Sequence, residues 1–153
     1  MAPGNRFLSA LTTGLLSAAT TTVVLTALAK RETGRSAVAM NSVSHIVWGD
    51  EAAEQEEVSA QYTLVGAVLN TGATVGWAMV QEILLGEWAR RGSPARALAS
   101  GAATSALAYV TDYHVVPPRL TPGVEKRLSK SARVAMYAVL ALSLAAGVRR
   151  GPA

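Results

Sequence analysis

Phe7-Leu-Ser-Ala-Leu-Thr-Thr-Gly-Leu-Leu-Ser-Ala-Ala-Thr-Thr-Thr-Val-Val-Leu-Thr-Ala-Leu-Ala29 contains no charged side chain. A helix through this run rises about 1.5 Å per residue and reaches across the roughly 30 Å hydrocarbon core of a bilayer. A helix of that length in water carries a charged outer face, and this one has none. Moving outward along the chain, the same gap recurs over Val58 to Gln81 and, in shorter form, over Ala97 to Thr111 and Val134 to Val148. Arg96, Arg133 and Arg149 flank the shorter gaps, and their long stems can carry the charge out to the headgroups. Charged residues make up only 16% of the 153-residue chain and apolar ones 50%, against roughly a quarter charged in a soluble domain. The expected fold class is therefore all-α. It is read as an integral membrane four-helix bundle, one membrane domain over 1–153, with spans at about 7–29, 58–88, 94–116 and 122–148. Two alternatives are weaker. The shorter gaps would also suit core helices of a globule. Arg6, the first apolar run and Ala27-Leu28-Ala29 resemble a secretory signal with its cleavage site, yet the run is longer than such a signal needs and further spans follow.

The boundaries follow from local chemistry. The first helix is expected to start near Asn5 and stop before Lys30-Arg31. In Ser36 to Trp48, Val38, Ala39, Val43, Ile46 and Val47 share one face while Asn41 and His45 stack a turn apart on another. This piece is too short to cross, so it reads as a short interfacial or re-entrant helix between the first and second spans. Gly49 stops it, and the acidic stretch Asp50 to Glu57 follows. The second span continues to Trp88, an aromatic suited to the membrane surface. Ser93-Pro94 is a helix start and Pro117 forbids continuation, which defines the third helix. Thr121-Pro122, with Glu125 in the first turn, repeats the start signal for the fourth. That helix then carries Lys126, Arg127, Lys130 and Arg133 along the surface before entering the bilayer.

Small residues mark packing faces. Gly14 and Ala18 lie one turn apart, and Gly72-Ala-Thr-Val-Gly76 is a small-xxx-small pattern that in lipid lets two helices approach backbone to backbone. Gly14, Gly72 and Gly76 are thus the expected helix-packing positions, against another helix of the chain or a second copy.

Whole classes of chemistry drop out. With no cysteine there are no disulfides, thiolate metal sites or cysteine nucleophiles. The formal net charge of +4 comes from basic residues at span ends, which suits anionic headgroups and not a nucleic-acid stripe. No Gly-rich phosphate loop, no serine with a placed base and no His-Glu-x-x-His pattern occurs. Ser17, Thr20, Thr21 and Thr22 read as partners of carbonyls or neighbouring helices. No catalytic residue, metal or cofactor is assigned.

With four crossings, the connections after the first and third helices share one membrane face. That brings His45, Asp112, His114 and Arg119 together as the candidate polar site. Two readings stay open. In one, His45, Asp112 and His114 form a metal, haem or proton-transfer site. In the other, His45 bonds a helix end while Asp112 pairs with Arg119 or Arg127 and fixes the turn. Glu82 and Glu87, on the opposite side, are expected to pair with Arg90, Arg91 or Arg96.

At Asn41-Ser-Val-Ser-His-Ile-Val-Trp-Gly-Asp-Glu-Ala52 and Asp112-Tyr-His-Val-Val-Pro-Pro-Arg-Leu-Thr-Pro-Gly-Val-Glu125, the chain resembles a family of small multi-span bacterial inner-membrane proteins that carries no established activity. The resemblance covers most of the chain from Asn41 onward. It implies a multi-pass protein of the bacterial inner membrane, in which relatives often carry histidines where this chain has Tyr62 and Asn70.

The expected function is that of a non-enzymatic accessory or scaffold subunit, with the lipid bilayer and a larger membrane complex or homo-oligomer as partners. The alternative is a small transporter or an ion- or metal-handling protein. An enzyme acting on lipid through Asp112, His114 and Arg119 is a third and weaker reading.

Overall fold

Among the described residues, every regular element is helical. The computed structural model describes residues 3–91 and 93–150. The elements are α1 (Pro3–Thr33), three short helices α2 (Val38–Val43), α3 (His45–Trp48) and α4 (Glu51–Glu54), then α5 (Val65–Arg90), α6 (Pro94–Val110) and α7 (Lys130–Arg150). A π-helical turn, Ala60–Leu64, opens α5, and another, Thr111–Val115, continues α6. Two 3-10 turns, Pro118–Leu120 and Val124–Lys126, precede α7. Among the described residues, three helical stretches are long and apolar enough to cross a membrane: Gly4–Thr33, Ala60–Arg90 and Lys130–Arg149.

Local chemistry explains the ends. Ser59 accepts a bond from the Tyr62 N–H at 3.1 Å while Thr63 Oγ1 accepts one from the Ser59 N–H at 3.0 Å, a reciprocal cap that starts the second long helix. Val116, extended at ψ 151°, ends the third, as a residue before proline must.

The fourth helix departs from expectation. It starts at Lys130, not at Pro122. Thr121 turns its hydroxyl onto the Glu125 carboxylate at 2.6 Å and caps no helix. Gly123 takes φ +81°, a left-handed conformation that breaks the helical path. Ser129 is the working cap, its Oγ accepting from the Ala132 N–H at 3.1 Å. Glu32 in turn accepts from the Ser129 N–H at 2.9 Å and from its hydroxyl at 2.6 Å.

The contacts divide the chain into two compact units. The first holds α1 up to Thr20, α5 from Thr71, α6 up to Ala108 and α7 from Tyr137. Here glycines set the close approaches. A Cβ on Gly14 would lie 2.5 Å from the Val75 Cα, one on Gly101 would strike the Ala141 carbonyl, and one on Gly147 would lie 2.5 Å from the Thr13 Cγ2. Hydroxyl and amide groups join the same helices: Ser17 with Ser143 at 3.0 Å, Gln81 with Ser100 at 2.6 Å, and Ser105 with the Tyr137 carbonyl at 2.6 Å. The links run α1 to α5, α5 to α6, α6 to α7 and α7 back to α1. Gly72 and Gly76 take no part: both are exposed, and beyond their own helix backbone nothing among the described residues lies within 4 Å of a built Cβ. Their expected role as internal packing positions is therefore corrected. A small-xxx-small pattern permits close approach without selecting the face that uses it.

The second unit holds residues Thr21–Asn70 and Tyr109–Met136. Its centre is α2, buried at all six residues. Ser36 to Trp48 is thus not one amphipathic helix lying on a surface. It is broken at Ser44 and enclosed, with Gly66 so close that a Cβ would meet the Met40 carbonyl.

Candidate functional site

The polar groups of the second unit converge on α2 and α3. Asn41 is fully buried. Its Nδ2 donates to the carbonyls of Gln55 at 2.9 Å and Glu57 at 3.0 Å, and its Oδ1 accepts from the Thr63 hydroxyl at 2.6 Å. One amide thereby holds the acidic connection and the start of the second long helix to α2. One turn later the His45 ring is 1% exposed, with Nε2 2.8 Å from the Thr121 carbonyl. A carbonyl only accepts, so Nε2 carries the proton and donates. Nδ1 is buried with no hydrogen-bond partner among the described residues and lies 3.9 Å from Asp50 Oδ1.

Gly123 makes the approach to His45 possible. Its Cβ would collide with the Ser42 carbonyl and lie 2.5 Å from the His45 Cδ2. Beside it, Arg119 donates from Nε to the Ile46 carbonyl at 3.0 Å and from Nη2 to the Val47 carbonyl at 2.9 Å, tying down carbonyls at the end of α3. Arg127 does the same for the Ala53 carbonyl at 2.7 Å and also meets Glu56 at 2.9 Å. Lys126 binds Asp50 at 2.9 Å. That hydrogen bond and the ammonium charge hold the Asp50 carboxyl below its usual value of 3.8.

Of the predicted residues, the structure brings His45 and Arg119 onto one segment, α3. Arg119 and Arg127, the cations expected to hold Asp112, bind backbone carbonyls in the way just described. Asp112 is half-buried in the π-helical turn. His114 is exposed and meets the Tyr109 ring edge-on at 5.9 Å. Among the described residues no three His, Asp or Glu side chains could hold a metal ion. The metal reading of His45, Asp112 and His114 thus has no ligand cluster behind it among the described residues. What the geometry does is mechanical: His45 and Arg119 clamp the segment after the third helix onto α2 and α3.

Sequence reading missed three parts of this arrangement. Asn41 had a signal, an amide a turn before His45 in a largely apolar segment. Thr121 reads in the sequence as a helix start with Pro122, and nothing there marks Gly123 as the close approach to His45. Gly66 had none, being one small residue among many.

In the first unit, Glu82 is buried and Arg90 grips it with two bonds, Nη1 to Oε2 at 2.7 Å and Nη2 to Oε1 at 2.6 Å. Residues 82, 86 and 90 share one helix stripe, and Gly86 between them leaves room for the Glu82 carboxylate to fold back. Ser9 donates to the same carboxylate at 3.1 Å. Glu87 pairs with Arg91 at 2.6 Å and Arg6 at 3.6 Å.

Compared with known protein families, with curated proteins and with solved structures, the chain matches none.

Proposed function

We propose that the chain is a multi-pass integral membrane protein whose four long helices, α1, α5, α6 with its π turn, and α7, cross the bilayer as a bundle, and which serves as a non-catalytic scaffold or accessory subunit of a membrane assembly. One observation supports this above the others: α1 and α6 bury rows of hydroxyls and turn large apolar side chains outward. On α1, Ser9, Thr13, Ser17 and Thr21 are buried at 0–3% exposure while Leu8, Leu15 and Val23 are 49–67% exposed. On α6, Ser100, Thr104 and Ser105 are buried while Leu98 and Leu107 lie open. A protein in water would lose several kcal/mol by this inversion, at about 1.5–3 kcal/mol for each large apolar side chain left wet. In lipid it is the favourable arrangement, because hydroxyls find partners only inside the protein.

The scaffold role is supported by the structural work of Asn41, His45, Arg119 and Arg127, which tie backbone carbonyls together. The resemblance at Asn41 to Ala52 and Asp112 to Glu125 supports a bacterial inner-membrane location. Extraction in mild detergent followed by native mass spectrometry tests the role: a defined homo-oligomer or a stoichiometric protein partner is expected, and a lone monomer would sink it. A second reading, a small ion-handling protein, draws on the buried hydroxyls of the first unit. Purified protein in liposomes should then pass ions, and a flat flux trace across common ions and metabolites counts against it.

A further inference from the structure

Within the first unit, an open cavity of about 440 Å³ lies where Arg6, Glu87, Trp88, Arg91 and Arg96 meet, with Ile83 and Leu84 on its wall. We infer that this cavity binds the phosphate of an anionic phospholipid, with the guanidinium groups of Arg6, Arg91 and Arg96 taking the headgroup and Ile83 and Leu84 the start of an acyl chain. The inference rests on the membrane reading above.

Charge argues for it first. Glu82, the other carboxylate on the lining, is already neutralised by its bidentate Arg90, leaving Glu87 as the one carboxylate shared by Arg6 and Arg91. Arg96 has no carboxylate within ion-pair distance among the described residues. It lies over the Trp88 ring, 5.6 Å from the centroid. Three guanidinium groups against one carboxylate leave an excess of positive charge in a space that admits an oxyanion. Arginine also suits phosphate by geometry, since its fork donates two parallel bonds.

The surroundings say which source of phosphate fits. Ile83 and Leu84 are 67% and 66% exposed, so the apolar wall of the cavity is continuous with an outward-facing helix surface. Trp88, itself exposed, is the residue type that settles at headgroup level. A free phosphate ion would gain nothing from that wall. A phospholipid gains from both halves.

The test uses the full chain, purified in mild detergent and analysed by native mass spectrometry with phosphatidylglycerol or phosphatidylcholine added. Phosphatidylglycerol should be retained several-fold more than phosphatidylcholine. Arg96→Gln and the double change Arg6→Gln with Arg91→Gln should each remove most of that preference. Arg31→Gln, which deletes an exposed cation of the second unit, should leave it intact. Equal retention of the two lipids overturns the site, as does an equal loss in all variants, which would reflect net charge alone. Inorganic phosphate bound in lipid-free detergent with the same dependence on Arg96 would assign the cavity to the free anion and overturn the lipid. Alkaline carbonate extraction keeps the two readings apart: a chain released from membranes fails the membrane reading, whereas a chain that stays with them but shows no headgroup preference fails this site alone.

Discussion

At the scale of single residues, the second unit depends on contacts that admit no larger atom and no missing donor. His45 supplies the hydrogen for the Thr121 carbonyl, and Gly123 supplies the space for its ring. His45→Ala leaves that carbonyl unpaired and a void behind it, so a loss of about 2–4 kcal/mol is expected, combining an unmade buried bond with a cavity. Gly123→Ala should be as damaging, because it adds a Cβ at φ +81° against the Ser42 carbonyl. Thermal unfolding in detergent, followed by circular dichroism, checks both; a melting temperature unchanged in either variant contradicts the clamp.

Asp50 offers a test by pH. Its folded pKa lies below the usual 3.8 because Lys126 donates to it. A depressed carboxyl pKa contributes stability that is present above the unfolded value and lost as pH falls through the folded one. Asp50→Asn should therefore melt slightly below wild type at neutral pH, and the gap should close at pH values under 3.8. The group is exposed, so the gap is small, and salt should narrow it as well. A difference that persists unchanged into acid would mean that the ion pair is not its source.

At the scale of elements, the legible parts of the sequence were those set by long-range composition. Charge-free runs located the long helices, and Pro117 ended the third where steric exclusion requires. Short signals were ambiguous. Ser93-Pro94 stands at the start of α6, yet the same chemistry at Thr121-Pro122 starts no long helix, because Glu125 takes the Thr121 hydroxyl and Gly123 turns left-handed. Which glycines pack was equally illegible, since a helix pattern gives a face and no neighbour. The structure now separates them. Gly101→Leu, set against the Ala141 carbonyl, should lower folded yield several-fold, in line with the roughly 1–3 kcal/mol or more that overpacking costs. Gly72→Leu and Gly76→Leu meet open space and should leave the folded monomer intact. Gel filtration and melting of the three variants decide it, and equal damage at all three would restore the internal packing role of Gly72 and Gly76.

At the scale of the molecule, the inward hydroxyls and outward leucines give a direction of insertion a meaning, and the basic residues give it a sign. Under the four-span proposal, the connections after the first and third crossings carry Lys30, Arg31, Arg35, Arg119, Lys126, Arg127, Lys130 and Arg133. The other side carries Arg6, Arg90, Arg91, Arg96, Arg149 and Arg150, which makes eight against six. Basic residues near span ends favour the cytoplasmic side, and acidic ones contribute little to that choice. The acidic stretch from Asp50 to Glu57 therefore does not cancel the vote. Several of the eight are also engaged: Arg35 meets Glu57 at 2.7 Å, Arg127 meets Glu56 and Lys126 meets Asp50, so the acidic stretch is held by the basic residues around it. The clamp of His45 and Arg119 is thus expected at the cytoplasmic surface, with Gly4 and Ser93 across the membrane. The chain has no cysteine, so single introduced cysteines report without background. Glu54 and His114 are exposed and suit one side, Gly4 and Ser93 the other. An impermeant maleimide added to intact cells should label positions 4 and 93 and spare 54 and 114 until the membrane is opened. Labelling of 54 and 114 alone would reverse the orientation, and labelling of 54 without 114 would break the shared face on which the four-span topology depends.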